Sequence, residues 1–234
     1  PSSNSASKGS IMDRHDSANF DGRPSGGAID MLVLHYTGMA TPEAALERLR
    51  DPMAGVSAHY LIGEKGEVVS LVAEEHRAWH AGEAFWRGNT DINGRSIGIE
   101  LVNPGHEFGY RVFLEAQMAV LEELALDIIG RHPVPARNVV AHSDVAPRRK
   151  TDPGELFDWR RLAAAGVGLW PGSWQAREAA ADEVRDMLAG YGYETGDLGK
   201  SIAAFQRRFR PRQIDGVADT ETVGRLEALL RLLS

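Results

Sequence analysis

"IDMLVLHY", residues 29–36, is an unbroken apolar run of strand length that ends in a histidine and a tyrosine. A run of this kind is the mark of a strand buried on both faces, as in a sheet covered by helices. Alternation puts Met31, Val33 and His35 on one face of it. A lone histidine at a strand end is more often a hydrogen-bonded structural residue than a ligand, so His35 acquires meaning only from its surroundings. Two more strands follow the same pattern, "SIGIELV" (96–102) and "NVVAHS" (138–143), and the second also ends near a histidine, His142. "AHYLIGEKGEVVSLV" (58–72) is expected to be a hairpin turning at Glu64–Glu67.

Helices fill the gaps. "TPEAALERLRD" (41–51) has Thr41 as N-cap and Pro42 in the first turn. In "FLEAQMAVLEELALDIIGRH" (113–132), Met118, Leu121, Leu124, Ala125 and Ile128 recur at helical spacing. "FDWRRLAAAG" (157–166) is a third helix. The expected class is α/β: a mixed central β-sheet flanked by helices, with a small C-terminal three-helix domain. "GVGLWPGS" (166–173) is rich in glycine and proline and predicts a linker. Beyond it, three apolar faces mark three helices: Ala180, Val184, Leu188 and Tyr191; Ile202, Phe205 and Phe209; Val223, Leu226, Leu229 and Leu230. The opening "PSSNSASKGS" is serine-rich and polar, like a tag or a disordered arm. The expected division is therefore an arm over 1–28, a catalytic domain over 29–171 and the helical module over 172–234.

Composition narrows the function. With 43% hydrophobic and 25% charged residues, the chain is globular, and its net charge of −7 argues against a nucleic-acid partner. The local run Arg207, Arg208, Arg210 and Arg212 is expected to be a solvated helix end. There is no cysteine, so any metal must be held by His, Asp or Glu. No run approaches the roughly 20 apolar residues of a membrane span, so no transmembrane segment is expected. No leader pattern opens the chain, and Met12 could serve as a start; the cytoplasm is the expectation, with the periplasm or cell envelope as the alternative.

Chemistry concentrates in "AHSDVAPRRKTDPG" (141–154). The residue before proline is pushed toward an extended backbone, and residues two apart on an extended segment point the same way. Lys150 and Asp152 would then project together. Read alone, composition favours Arg148, Arg149 and Lys150 as a solvated basic run and Asp152 as a turn residue. Glu100 shifts the balance: a carboxylate inside an apolar strand is costly unless paired or functional, and Gly98 leaves room on its face. Two imidazoles and a carboxylate make a sensible zinc site with an open position for water. Such a site would lower the water's pKa from about 16 toward 7. Glu100 could accept its proton and Lys150 could stabilise an oxyanion. "AWHAG" (78–82) with Trp86 places aromatics beside glycine, so Trp79, His80 and Trp86 are candidate groove residues. His59 is as readily a satisfied structural histidine as a groove residue.

"VLHYTG", "VSAHYLI", "AWHAG", "SIGIEL" and "AHSDVAPRRKTDPG", in that order, resemble the zinc-dependent N-acetylmuramoyl-L-alanine amidases of the amidase type 2 family, over roughly residues 29–171. The resemblance implies Zn²⁺ as cofactor, with His35, His142 and Asp152 as ligands, Glu100 as catalytic acidic residue and Lys150 as transition-state lysine. "AWHAG" then corresponds to the substrate groove. The implied reaction is hydrolysis, by metal-activated water, of the amide between N-acetylmuramic acid and L-alanine in peptidoglycan or muropeptides. "SIAAFQRRF" with "IDGVADTETVGRLEAL" resembles the three-helix peptidoglycan-binding domain attached to many wall hydrolases. Two other readings compete, a non-catalytic recognition protein of the same fold and a zinc hydrolase of another class. The complete ligand set speaks against the first, and the family resemblance against the second.

Overall fold

The computed structural model describes residues 12–233. β3 (Met31–Tyr36) is the strand that the apolar run predicts, and Met31 through His35 are each 0% exposed. It lies inside a six-stranded sheet of order β1-β5-β4-β7-β3-β8. The other members are β1 (Asp13–Arg14), β4 (Tyr60–Ile62), β5 (Val68–Ser70), β7 (Ser96–Leu101) and β8 (Val139–Ala141). β4, β7, β3 and β8 run parallel, and β4 and β5 form the expected antiparallel hairpin. β2 (Phe20–Gly22) pairs separately with β6 (His76–Ala78).

The two faces of β3 bury different partners. Leu32 and Leu34 meet α4 (Glu115–Arg131) and α6 (Trp159–Ala164) through Met118, Leu121, Ala125, Ile128, Trp159 and Leu162. Met31 and Val33 face the other way, toward α7 (Ala181–Tyr191), α8 (Leu198–Phe209) and α9 (Thr220–Arg231). α1 (Pro42–Arg50) packs Leu49 near Leu61, Leu71 and Val102, and Thr41 caps it by accepting the Ala44 N–H at 3.1 Å. Short helical turns lie between these elements, among them α2 (Ile92–Arg95), α3 (Gly105–Phe108) and α5 (His142–Val145).

Several expectations need correction. Residues 1–11 lie outside the described residues, but 12–28 are not a loose arm. β1 pairs with β5, and buried Ser17 and Asn19 hydrogen-bond the Leu49, Asp51 and Val56 carbonyls. Backbone pairing holds this segment, so its sequence needs no apolar period. The stretch 166–173 is no free linker either. Val167 is fully buried, and Trp170 packs against the cores on both faces of the sheet. Arg208 and Arg210 are not solvated: they are 2% and 5% exposed. Arg208 Nη1 donates to Asp144 at 2.7 Å while its guanidinium lies 3.9 Å above the Trp159 ring. A charged run looks solvated until a distant carboxylate and an aromatic face meet it from another part of the chain.

The candidate active site

Parallel strands bring their carboxyl ends to one edge, where open α/β sheets commonly hold ligands. His35 and Glu100 are direct register partners on β3 and β7. β8 stops at Ala141, so His142 opens the turn α5 rather than ending the strand. Its turn is set by Asp144, whose carboxylate accepts the Ala141 N–H at 2.9 Å. The chain then loops back through Lys150 to Asp152, and the Ser143 N–H donates to the Asp152 carbonyl at 3.0 Å.

Three atoms converge there. His35 Nδ1 and His142 Nδ1 are 2.9 Å apart, and Asp152 Oδ2 lies 3.2 and 3.0 Å from them. The edge of a tetrahedral site with ligands at 2.0–2.1 Å is about 3.3 Å. All three residues are buried, and they form a cluster able to hold a metal ion. Carbonyl oxygens only accept, so His142 Nε2 must donate its proton to the Ala81 carbonyl at 3.1 Å, which leaves Nδ1 bare. Bare nitrogens beside a carboxylate repel one another unless a cation or a proton lies between them. The donor set therefore fits a metal, and two imidazoles with one carboxylate suit zinc.

Burial and the neighbouring His142 push His35 down to about 4, which favours the neutral, ligating imidazole. Burial alone would raise the Asp152 carboxyl, but His142 and His35 hold it well below the usual carboxylate range. Glu100 goes the other way. Burial, then the Asp152 charge, pushes it up to about 8, against the pull of Lys150. Its Oε2 is a shielded oxygen without a hydrogen-bond partner.

Glu100, His142 and Asp152 line a groove of about 600 Å³, whereas His35 is fully buried. Lys150, Trp79 and His80 line it too, with Tyr36, His106 and Phe108. A smaller cleft of about 450 Å³ lies between Phe85, Arg148 and Glu194 and holds none of the three converging residues. Two groove expectations fail. Trp86 is 0% exposed, packs edge-on to Tyr191 and Tyr193, and donates its indole N–H to Asn138 at 3.3 Å. It is core, because α7 and the segment after it cover it. His59 is also 0% exposed: it accepts the Gly98 N–H at 3.0 Å and meets the Arg23 guanidinium at 3.0 Å. The sequence reading missed Tyr36 and His106, whose side chains join at 2.9 Å on the rim. A tyrosine directly after His35, at the carboxyl end of the strand, is the signal that could have found the first.

Comparison with known proteins agrees with this geometry. The N-acetylmuramoyl-L-alanine amidase family model matches residues 25–155. The chain is 40% identical to the N-acetylmuramoyl-L-alanine amidase AmiD of Escherichia coli over 230 residues, covering 86% of this chain and 82% of AmiD. It belongs to the N-acetylmuramoyl-L-alanine amidase family. A second relative of this amidase is the 1,6-anhydro-N-acetylmuramyl-L-alanine amidase AmpD of Enterobacter cloacae, 38% identical across 67% of this chain and 80% of AmpD. Among solved structures, E. coli AmiD in complex with anhydro-N-acetylmuramic acid-L-Ala-D-gamma-Glu-L-Lys matches with a TM-score of 0.80 at 38% identity, covering 90% of this chain and 92% of that one. No helix among the described residues is long and apolar enough to cross a membrane.

Proposed function

We propose that this chain is a zinc amidase that hydrolyses the amide between N-acetylmuramic acid and L-alanine in muropeptides, anhydro-muropeptides included. The observation that carries the reading is the convergence of His35 Nδ1, His142 Nδ1 and Asp152 Oδ2, with Glu100, whose Oε2 is unpartnered, lining the same groove as His142 and Asp152. Substrate class rests on the likeness to AmiD bound to an anhydromuramyl peptide.

His35, His142 and Asp152 would hold the zinc. A zinc ion there supplies a Lewis acid that lowers the pKa of water from about 16 toward 7. Glu100 then serves as general base. Its unpartnered oxygen faces the groove, placed to accept a proton and return it to the leaving amine. The Lys150 ammonium faces the same groove and offsets the negative charge that develops on the amide oxygen. The sequence likeness of the three-helix module to peptidoglycan-binding domains supports a role in holding wall material.

Mass spectrometry of a defined anhydro-muropeptide, with and without a strong chelator, tests the reading. Separate sugar and stem-peptide masses are expected, lost on chelation and restored by zinc. An intact substrate in a zinc-loaded sample would sink it. Parallel digestion of intact sacculi separates fragment processing, which fits a cytoplasmic enzyme, from attack on the polymer in the envelope.

Two substitutions divide the roles. Asp152→Ala removes one of three ligands and should leave the protein largely without zinc after dialysis against a weak chelator, by elemental analysis. Unchanged occupancy would remove Asp152 from the ligand set. Lys150→Ala should keep its zinc and lose on the order of 10²-fold in kcat. Full turnover would leave the lysine without its oxyanion role.

A further inference from the structure

We propose that His80 is a positioning residue of the metal site: with Ser96 it fixes the proton of His35 on Nε2, so that the Nδ1 lone pair points at His142 and Asp152. This role rests on the zinc reading above.

Hydrogen-bond chemistry fixes the direction of the chain. The Ile92 carbonyl can only accept, so the Ser96 hydroxyl donates to it at 2.6 Å. With its single proton committed, Ser96 Oγ accepts from His80 Nε2–H at 3.1 Å. A neutral imidazole carries a single ring proton, so with that proton on Nε2 the buried His80 presents a bare Nδ1. That atom accepts from His35 Nε2–H, also at 3.1 Å. Each link leaves the next ring one protonation pattern, and the last leaves His35 Nδ1 free to ligate. Ligand imidazoles commonly depend on such a partner on the opposite nitrogen for tautomer and ring angle.

The surrounding sequence makes room for the chain and holds it. A Cβ on Gly98 would sit 2.5 Å from the His80 ring, so only glycine lets the imidazole lie on β7 at that point. The Asn93 side-chain oxygen accepts the His80 and Ala81 N–H groups at 3.2 and 2.8 Å. The Ala81 carbonyl, next along, is the acceptor that orients His142. One short loop, 78–82, therefore sets both ligand imidazoles, one through a side chain and one through its backbone. "AWHAG" is thus the outer support of the metal site as well as a groove wall.

The test compares wild type with His80→Phe, His80→Asn and Ser96→Ala. Zinc affinity is measured by competition with a chromophoric chelator, and the His35 tautomer by nitrogen NMR on the metal-free protein. Phenylalanine keeps the ring volume and deletes the acceptor; zinc binding should weaken about 10–100-fold. Asparagine places an oxygen where His80 Nδ1 stood and should recover most of that loss, which a merely structural role would not produce. Ser96→Ala should give a smaller loss in the same direction. Wild-type His35 protonated on Nδ1, or equal zinc affinity in wild type and His80→Phe, would overturn the role. Wild type that fails to bind zinc at all would overturn the zinc reading itself, and the role with it.

Discussion

Glu100→Gln is expected to slow turnover about 10²–10⁴-fold while leaving zinc content unchanged, by steady-state kinetics and elemental analysis of the same preparation. Glutamine keeps the shape and cannot take a proton. The position is register-paired with His35 and carries a shielded oxygen with no partner, an arrangement that costs stability and is explained by chemistry at that oxygen. The cost gives a second readout. In the metal-free protein, burial pushes Glu100 up to about 8. A carboxyl whose folded pKa lies above its unfolded value opposes folding once the unfolded chain ionises. The penalty is absent below about pH 4, grows through the interval between the two pKa values, and is complete above the folded one. Metal-free Glu100→Gln should therefore melt with the wild type at pH 4 and a few degrees above it at pH 8. Unimpaired turnover would remove Glu100 as base, and equal melting at pH 8 would remove the burial cost.

How much of this was legible depended on whether a residue's meaning lies in its own neighbourhood. Glu100 stood out because it interrupts an apolar strand, which is expensive, whereas His35 at a strand end drew its meaning from the residues around it. Lys150 and Asp152 could be read with them, since one loop carries both. Trp79 and Trp86 could not be told apart: each is a tryptophan beside a glycine, and only the packing of Tyr191 and Tyr193 makes Trp86 core. His80 was legible as part of the site but not in its role, because its partners Ser96 and His35 lie on two other strands. β1 and β2 are two and three residues long, exposed, and held by backbone pairing, so no side-chain pattern announces them.

Arg208 is the clearest case of a residue whose meaning is remote, and Arg208→Met is expected to destabilise the whole chain by about 3–5 kcal/mol, measured by denaturant unfolding. Asp144 is fully buried, and three groups satisfy it: the Arg208 guanidinium at 2.7 Å, the Tyr193 hydroxyl at 2.6 Å and the Ala141 N–H at 2.9 Å. Two of the three come from the C-terminal module and the third from the residue before His142. Removing the guanidinium strands a carboxylate in an apolar setting, which costs far more than the intact pair contributes. Adding Asp144→Asn removes that charge, so the double variant should recover a substantial part of the loss. A simple sum of two penalties would mean that the residues do not act as a pair. The same contacts decide what deletion of 173–234 does. Met31, Val33, Trp86, Val140 and Val145 share one apolar cluster with Leu188, Phe205, Phe209 and Leu226. Cutting there bares one face of the sheet, and the shortened chain is expected to aggregate or to unfold well below the intact protein. A soluble fragment with the melting point and zinc affinity of the full chain would show that the module is an appendage. A single cooperative transition in the intact protein, lowered as one unit by Arg208→Met, would show that the three helices complete the catalytic core and hold the turn from which His142 projects.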